Sequence, residues 1–362
     1  MLNKVYLRLK KFMKDYYKTI IFLVICYFVF TFPLPYYIYA GGGTINIDDR
    51  VVIDGDKDKS KGSLNFAYVK ELEGNVASFI LGNIIPGYDI EKQENVELNE
   101  DETSEDIMFR NKIYLENANQ TAIMLAYQKA EKEVRIKNKH FYIIYVEDKE
   151  KDGLRVGDEL LKVNGKEIEN VEDYTNEIQN HEVGDKIKVT VIRDDKEKDV
   201  MATVKEGDDY KVTGVSVSTI YEYDTNPKVE LNFKESEGGP SGGLMLTLAI
   251  YDKLTKGDLT NGLKIVGTGT ISSDGTVGEI GGVKYKLNGA VKAKADLFLV
   301  PKGDNYKEAL KEKEEHDYDI EIKAIGTFDE AVEYLESLKN KRSPNENAKS
   351  HRMKMQNFTE CN

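Results

Sequence analysis

One hydroxyl, that of Ser241, stands between two pairs of glycines in E-S-E-G-G-P-S-G-G (residues 235–243), directly ahead of an apolar run, residues 244–254, that holds neither Gly nor Pro. The run predicts a helix with Ser241 at its start. Glycines let backbone amides approach a substrate closely, and a helix N-terminus offers unpaired N–H donors and the positive end of its dipole to a developing oxyanion. A serine hydroxyl is a weak nucleophile and needs an adjacent base. The four histidines, His140, His181, His316 and His351, are scattered without metal-site spacing and none lies near this motif, so they read as ordinary surface or half-buried residues. The two cysteines are Cys26, in the apolar N-terminal run, and Cys361, at the far end, too few and too separated for a thiol site, a cysteine zinc site or a disulfide framework. The remaining base is a lysine held neutral by burial. Residues 264–271 and 276–280 read as two strands joined at S-S-D-G (272–275), and G-G-V-K-Y-K-L (281–287) opens a helix carrying Lys284, Lys286, Lys292 and Lys294. Spacing alone does not choose between Lys284 and Lys286. Singly, the motifs have bland readings, a solvated lysine face and a plain Gly-rich turn. Their order, with a hairpin between, favours chemistry.

These groups need a scaffold, and 362 residues with 40% hydrophobic and 32% charged content are enough for one large or two modest cores. A net charge of −13 excludes a nucleic-acid footprint, which needs clustered Lys and Arg on one face. Thr19 to Ile47 carry no charge, long enough to cross a hydrocarbon core that needs about 20 apolar residues, so a transmembrane helix is expected over 19–40. Lys4, Arg8, Lys10, Lys11, Lys14 and Lys18 precede it and Asp48 and Asp49 follow, which makes 1–18 a cytoplasmic basic segment and puts the rest outside a cell membrane crossed once. A cleaved signal peptide competes, but the run exceeds the roughly 7–15 residues of a signal core. Residues 41–137 read as a small β layer, an acidic loop over 91–106 and one long helix over 107–137, packed with the catalytic region. T-F-D-E (327–330) is a capping box for a last helix to Lys339, and 341–362 form a polar tail with little to bury.

Between these parts, D-G-L-R-V-G-D-E-L-L-K-V-N-G (152–165) resembles PDZ domains through Gly153, Leu154, Gly157, Asp158, Leu160, Val163, Asn164 and Gly165, setting a PDZ-like domain over 138–205. The resemblance implies peptide binding by strand addition, with Phe141, Tyr142 and Ile143 as the contact strand. The carboxylate-cradling loop of that family usually carries glycine and here reads N-K-H-F-Y (138–142), which weakens the case for a free C-terminus as ligand and leaves an internal segment, or mere positioning by the domain, as the alternatives. G-P-S-G-G (239–243), Thr268-Gly269 and G-G-V-K-Y-K (281–286) resemble the proteolytic domain of Lon-type peptidases, assigned to 206–340. That resemblance implies Ser241 as nucleophile, Lys286 as base, Thr268 as support for the lysine amine, and backbone around Gly239, Pro240 and Gly242 as the oxyanion hole. Thr270 stands where the family strand usually has Glu, and Gly242 where Ala is common.

No G-x-x-x-x-G-K-[ST] phosphate loop occurs in the chain, so no ATP is expected to drive it. The order of parts resembles the PDZ–Lon membrane proteases of Gram-positive bacteria, which implies an α+β fold and a serine endopeptidase. Its substrates are then secreted peptides or exposed segments of membrane or secreted proteins outside the membrane. No metal or cofactor is called for. The alternative is an anchored peptide-binding scaffold or a substrate-delivery partner of another protease.

Overall fold

A computed structural model of the chain describes residues 2–55, 60–85, 87–92, 102–147, 153–234, 239–255 and 257–338. Helix α1 (Leu2–Thr31) runs into strand β1 (Pro33–Asn46). The expected transmembrane helix over 19–40 is corrected here, because no helix among the described residues is long and apolar enough to cross a membrane. The reason is local. Pro33 lacks an amide hydrogen and restricts Phe32, so the helix stops at Thr31. The remainder of the uncharged run is strand, paired with neighbours on both sides. The uncharged helical part, Thr19 to Thr31, spans roughly 20 Å at about 1.5 Å per residue, against a hydrocarbon core about 30 Å thick. The outward placement of the catalytic region was read from that span.

The next elements are β2 (Val51–Ile53), β3 (Ser63–Asn75), α2 (Val76–Ile84), β4 (Tyr88–Lys92) and α3 (Ser104–Lys129). Thr103 caps α3, its hydroxyl accepting from the Asp106 amide while the Asp106 carboxylate accepts from the Thr103 amide. The helix expected to Lys137 ends at Lys129. Glu131 turns at φ 54, and the alternation of Val134 and Ile136 continues as strand. Most of the acidic stretch over 91–106 lies outside the described residues.

A second unit follows, β5 (Glu133–Val146), β6 (Glu159–Val163), β7 (Lys166–Glu167), α4 (Val171–Gln179), β8 (Lys186–Arg193), β9 (Lys196–Thr203) and β10 (Val215–Asn226), in sheet order β10-β5-β6-β8-β9 with β7 beside β6. Its core gathers Phe141, Ile143, Leu160, Val163, Tyr174 and Val189. Buried Asp158, one of the residues that carry the PDZ resemblance, takes two hydrogen bonds of 2.7 Å from the Arg193 guanidinium.

β11 (Val229–Leu231) pairs with β2 and returns the chain to the first unit. There follow α5 (Gly243–Leu254), β12 (Lys264–Gly267), β13 (Thr270–Ile271), β14 (Val277–Gly278), α6 (Val283–Lys292), β15 (Leu297–Pro301), α7 (Asp304–Glu315), β16 (Glu321–Ile325) and α8 over 328–338. The main sheet has the order β16-β15-β12-β3-β1-β4. β3, β12, β15 and β16 run parallel, while β1 is antiparallel to β3 and β4. Strand–helix–strand connections through α6 and α7 build the parallel part, so the expected α+β class is corrected to mixed α/β. Strands from before and after the β5–β10 unit thus share one sheet. Lys339 and the tail over 341–362 lie outside the described residues.

β1 carries a bulge at Gly41–Gly43, where the pairing with β3 shifts between Gly41↔Val69 and Thr44↔Ala67. A Cβ on Gly42 would lie 2.0 Å from the Tyr68 carbonyl oxygen. Gly42→Ala is therefore expected to destabilise the protein by about 2–3 kcal/mol, since backbone must move. At Gly281 a methyl meets nothing within 4 Å, and Gly281→Ala should stay within about 0.5 kcal/mol of the parent. Urea midpoints of the two variants check the contrast, and equal midpoints would refute it.

Candidate active site

Ser241 sits in a 3-10 turn, Pro240–Gly242, that leads directly into α5. α5 packs its apolar residues into the main core on nearly every side, Leu244, Met245, Leu248 and Ile250 all being inaccessible, and this fixes where its N-terminus points. Two bonds lock Ser241 itself: its carbonyl accepts from the Gly269 amide at 2.7 Å and from the Thr268 hydroxyl at 3.0 Å. Gly269 has φ 152, and a Cβ there would meet Val277 Cγ1 at 2.8 Å. Only glycine suits that corner, which brings the end of β12 against the serine turn.

α6 places Val283, Leu287 and Ala290 in a core cluster against the sheet, and Lys286 projects from the same face. Its side chain is 5% exposed. The Lys286 Nζ lies 3.0 Å from Ser241 Oγ and donates to Thr268 Oγ1 at 3.2 Å. Burial alone lowers the Lys286 pKa from its ordinary 10.5 to about 8. Thr268 is fully buried, its amide donating to the Leu299 carbonyl at 3.0 Å. Its hydroxyl thus gives its proton to the Ser241 carbonyl and offers a lone pair to the amine, which aims the nitrogen at Oγ.

The structure separates the four lysines that spacing had left together. Lys284 turns to Asp89 of β4, which also accepts from the Tyr285 hydroxyl. Lys292 and Lys294 are exposed. Only Lys286 meets the serine.

Around the turn, the Gly242 amide donates to the Gly239 carbonyl at 3.0 Å and the Gly243 amide to the Pro240 carbonyl. Pro240 has no amide hydrogen. Of the residues expected to form the oxyanion hole, Pro240 and Gly242 therefore shape the turn without supplying a donor. Gly239 and Ser241 both line the cavity at the dyad. Glu279, close to the site in sequence, accepts from the Asp304 amide at 2.7 Å at the start of α7. Glu237 lies outside the described residues.

The dyad opens into a cavity of about 530 Å³ walled by Gly239, Ser241, Gly242 and Lys286 on one side and by Thr44, Ile45 and residues 66–69 on the other. Sequence reasoning missed this second wall. The signal was the G-G-G run at 41–43, which forms the bulge beside it.

Phe141, Tyr142 and Ile143 are elsewhere and in another role. β5 is an interior strand, paired with β10 along its length and with β6 at Tyr142↔Glu159, so these residues present no free edge to a peptide. Phe141 and Ile143 are core residues of their unit, and Tyr142 packs edge-on against Phe109 of α3.

Comparison with known proteins agrees with this division. Residues 128–204 match the family model of the PDZ domain, and residues 234–337 match that of the Lon protease (S16) C-terminal proteolytic domain. The Lon protease of Campylobacter jejuni subsp. jejuni serotype O:2 is 38% identical over 101 residues, covering 26% of this chain and 12% of that protein. The chain thus spans only a small part of that relative's length. The PDZ domain of the SdrC-like protein from Listeria monocytogenes aligns at TM-score 0.21 and 20% identity over 23% of this chain and 92% of that one, too slight a likeness to carry an argument. The chain holds a PDZ domain followed by a Lon-type proteolytic domain. The second of these supports a serine protease.

Proposed function

We propose that the protein is an ATP-independent serine endopeptidase in which Ser241 attacks and Lys286 acts as general base and acid. The observation that carries this reading is the 3.0 Å contact between a buried lysine amine and the serine hydroxyl. Neutral Lys286 takes the proton of Ser241, and the alkoxide adds to the peptide carbonyl. The amides of Ser241 and Gly239, with the α5 dipole behind them, receive the oxyanion. The lysine ammonium gives its proton to the leaving amine, and a water deprotonated by the same lysine then releases the acyl group. An extended segment suits the cavity, because β12 pairs with β3 only as far as Phe66 and leaves the β3 edge beyond it open toward Ser241. The chain carries no phosphate loop to power unfolding, so secreted peptides and exposed, unfolded segments of other proteins are the substrates.

A fluorophosphonate probe should label the protein at Ser241, with casein cleaved in parallel and both rates rising with pH through about 8. No labelling and no cleavage across pH 6–10 would overturn the reading.

Thr268→Val keeps the shape and removes the hydroxyl that the amine donates to. A bond accepted from the amine favours its charged form, so the variant's kinetic pKa should fall below that of the parent. The rate constant should drop on the order of 10–100-fold with KM little changed, and Thr268→Ser should restore both. A loss without any shift of the pH profile assigns Thr268 a packing role only.

A further inference from the structure

Phe66, Gly239 and Gly242 wall two cavities at once, the one of about 530 Å³ at Ser241 and a much smaller one of about 10 Å³, so they frame an opening between the two. Behind that opening the small cavity is closed by Leu115 and Ala118 of α3, by Phe233 and by Leu246 of α5. Phe66, Ala118 and Leu246 are buried, and the rings of Phe66 and Phe233 stand 5.9 Å apart. Among the described residues its lining holds one polar side chain, Asn119, and no charged one. A wide groove of about 930 Å³ runs along α3 beyond it, and Leu115 and Phe233 line that groove as well. These two side chains therefore part the groove from the small cavity.

Gly242 is a glycine that its surroundings do not demand. Its φ of −91 and ψ of −5 belong to an ordinary turn conformation compatible with most residues. A Cβ there would lie 3.6 Å from Phe66, in plain van der Waals contact. The missing methyl leaves width at the opening. A volume near 10 Å³ is room for roughly one water, which is also about the size of a methyl group.

The direction of the substrate follows from Lys286. Its ammonium protonates the leaving amine, so the part of the substrate after the cut runs past Lys286, which lines the large cavity and not the small one. The side chain before the cut departs from the attacked carbonyl away from that amine, and so meets the opening at Gly239, Gly242 and Phe66. We propose that the small cavity receives the side chain of the residue whose carbonyl Ser241 attacks, and that Leu115 and Phe233 restrict it to a small, uncharged one, alanine above all. Glycine leaves the cavity empty and forfeits apolar burial. Leucine forces Leu115 and Phe233 to move, the cost of overpacking. Lysine loses water and finds no counter-charge. The inference rests on the peptidase reading for the position of the cut, but the fit of the side chain is measurable without turnover.

Decapeptides that differ only in Gly, Ala, Leu or Lys before the cut, with the cut located by mass spectrometry, test it on the full chain. In kcat/KM, Ala should exceed Leu and Lys by about tenfold or more, and Gly by a smaller factor. Leu115→Ala removes part of the partition and should raise the ratio of Leu to Ala about tenfold. Phe233→Ala should act in the same sense from the other side. Gly242→Ala narrows the opening and should lower the ratio of Ala to Gly. Urea midpoints show that each variant is folded. Ratios unmoved by all three variants, or a parent chain that prefers Leu, overturn the proposal and leave the peptidase reading in place. The same ranking is read in the Ser241→Ala chain by anisotropy of fluorescein-labelled pentapeptides ending in Ala or Leu, the products on the acyl side: the Ala peptide should bind more tightly, and Leu115→Ala should reduce or reverse that preference. If the intact chain cleaves nothing while this ranking holds, the peptidase reading fails and the small cavity keeps its ligand. If nothing is cleaved and the two peptides bind alike, the proposal falls as well.

Discussion

Ser241→Ala is expected to reduce peptide hydrolysis by about 10⁴-fold or more, to abolish fluorophosphonate labelling, and to leave KM and stability nearly unchanged. The expectation of a kcat effect alone comes from how the residue is held. Its position is set by its carbonyl, which accepts from the Gly269 amide and the Thr268 hydroxyl, and by the 3-10 turn into α5. None of these contacts uses Oγ. Removing the hydroxyl therefore deletes the nucleophile and one contact of Lys286 while the cavity walls stay in place. Residual activity then reflects substrate binding and the backbone donors alone. Kinetics on one peptide for parent and variant, with urea unfolding of both, check this. A variant keeping more than about 1% of parental kcat would show that another group is the nucleophile.

Much of this site was legible because its signals are local. A Gly-rich turn before an unbroken apolar run gives the serine and its helix from adjacent residues. Lys286 was harder: on spacing it equals Lys284, and the resemblance to Lon-type peptidases chose it. The packing supplies a physical reason that periodicity held all along, for Val283, Lys286, Leu287 and Ala290 recur at helical spacing and form one stripe, while Lys284 falls outside it. A lysine on an apolar stripe is desolvated by the fold, and this lowers its pKa.

The misread parts depend on distant residues. Alternation over Phe141–Ile143 is the same for an edge strand and an interior one, and β10, more than seventy residues downstream, decides which it is. The uncharged run from Thr19 satisfied a length rule, but Pro33 and the pairing of β1 with β3 and β4 divide it between helix and strand. The cavity wall at 66–69 was invisible because only sheet order brings β3 beside β12.

Lys286→Met should abolish catalysis and, at neutral pH, make the protein more stable. The lost base costs on the order of 10³–10⁴ in kcat. Stability moves the other way because the amine is buried at 5% exposure, and burial is the cause of its pKa falling from 10.5 to about 8. In the unfolded chain the lysine keeps its ordinary value. Below pH 8 both states hold the proton, and the folded state bears the full penalty, about 3 kcal/mol for a shift of this size. Between pH 8 and 10.5 the unfolded state binds more protons than the folded one, so parental stability rises with pH. Above 10.5 the penalty is gone. Methionine fills a similar volume and has no such penalty, although it forfeits the bonds to Ser241 and Thr268, worth roughly 1–2 kcal/mol together. The variant should therefore be more stable than the parent by about 1–2 kcal/mol at pH 7, lose that advantage near pH 10, and show a flat profile between. Urea unfolding of both proteins from pH 6.5 to 10.5 measures the difference directly. If the methionine variant is instead less stable at pH 7 and the gap does not change with pH, the lysine is an ordinary charged residue in its native setting, and it cannot take the serine proton.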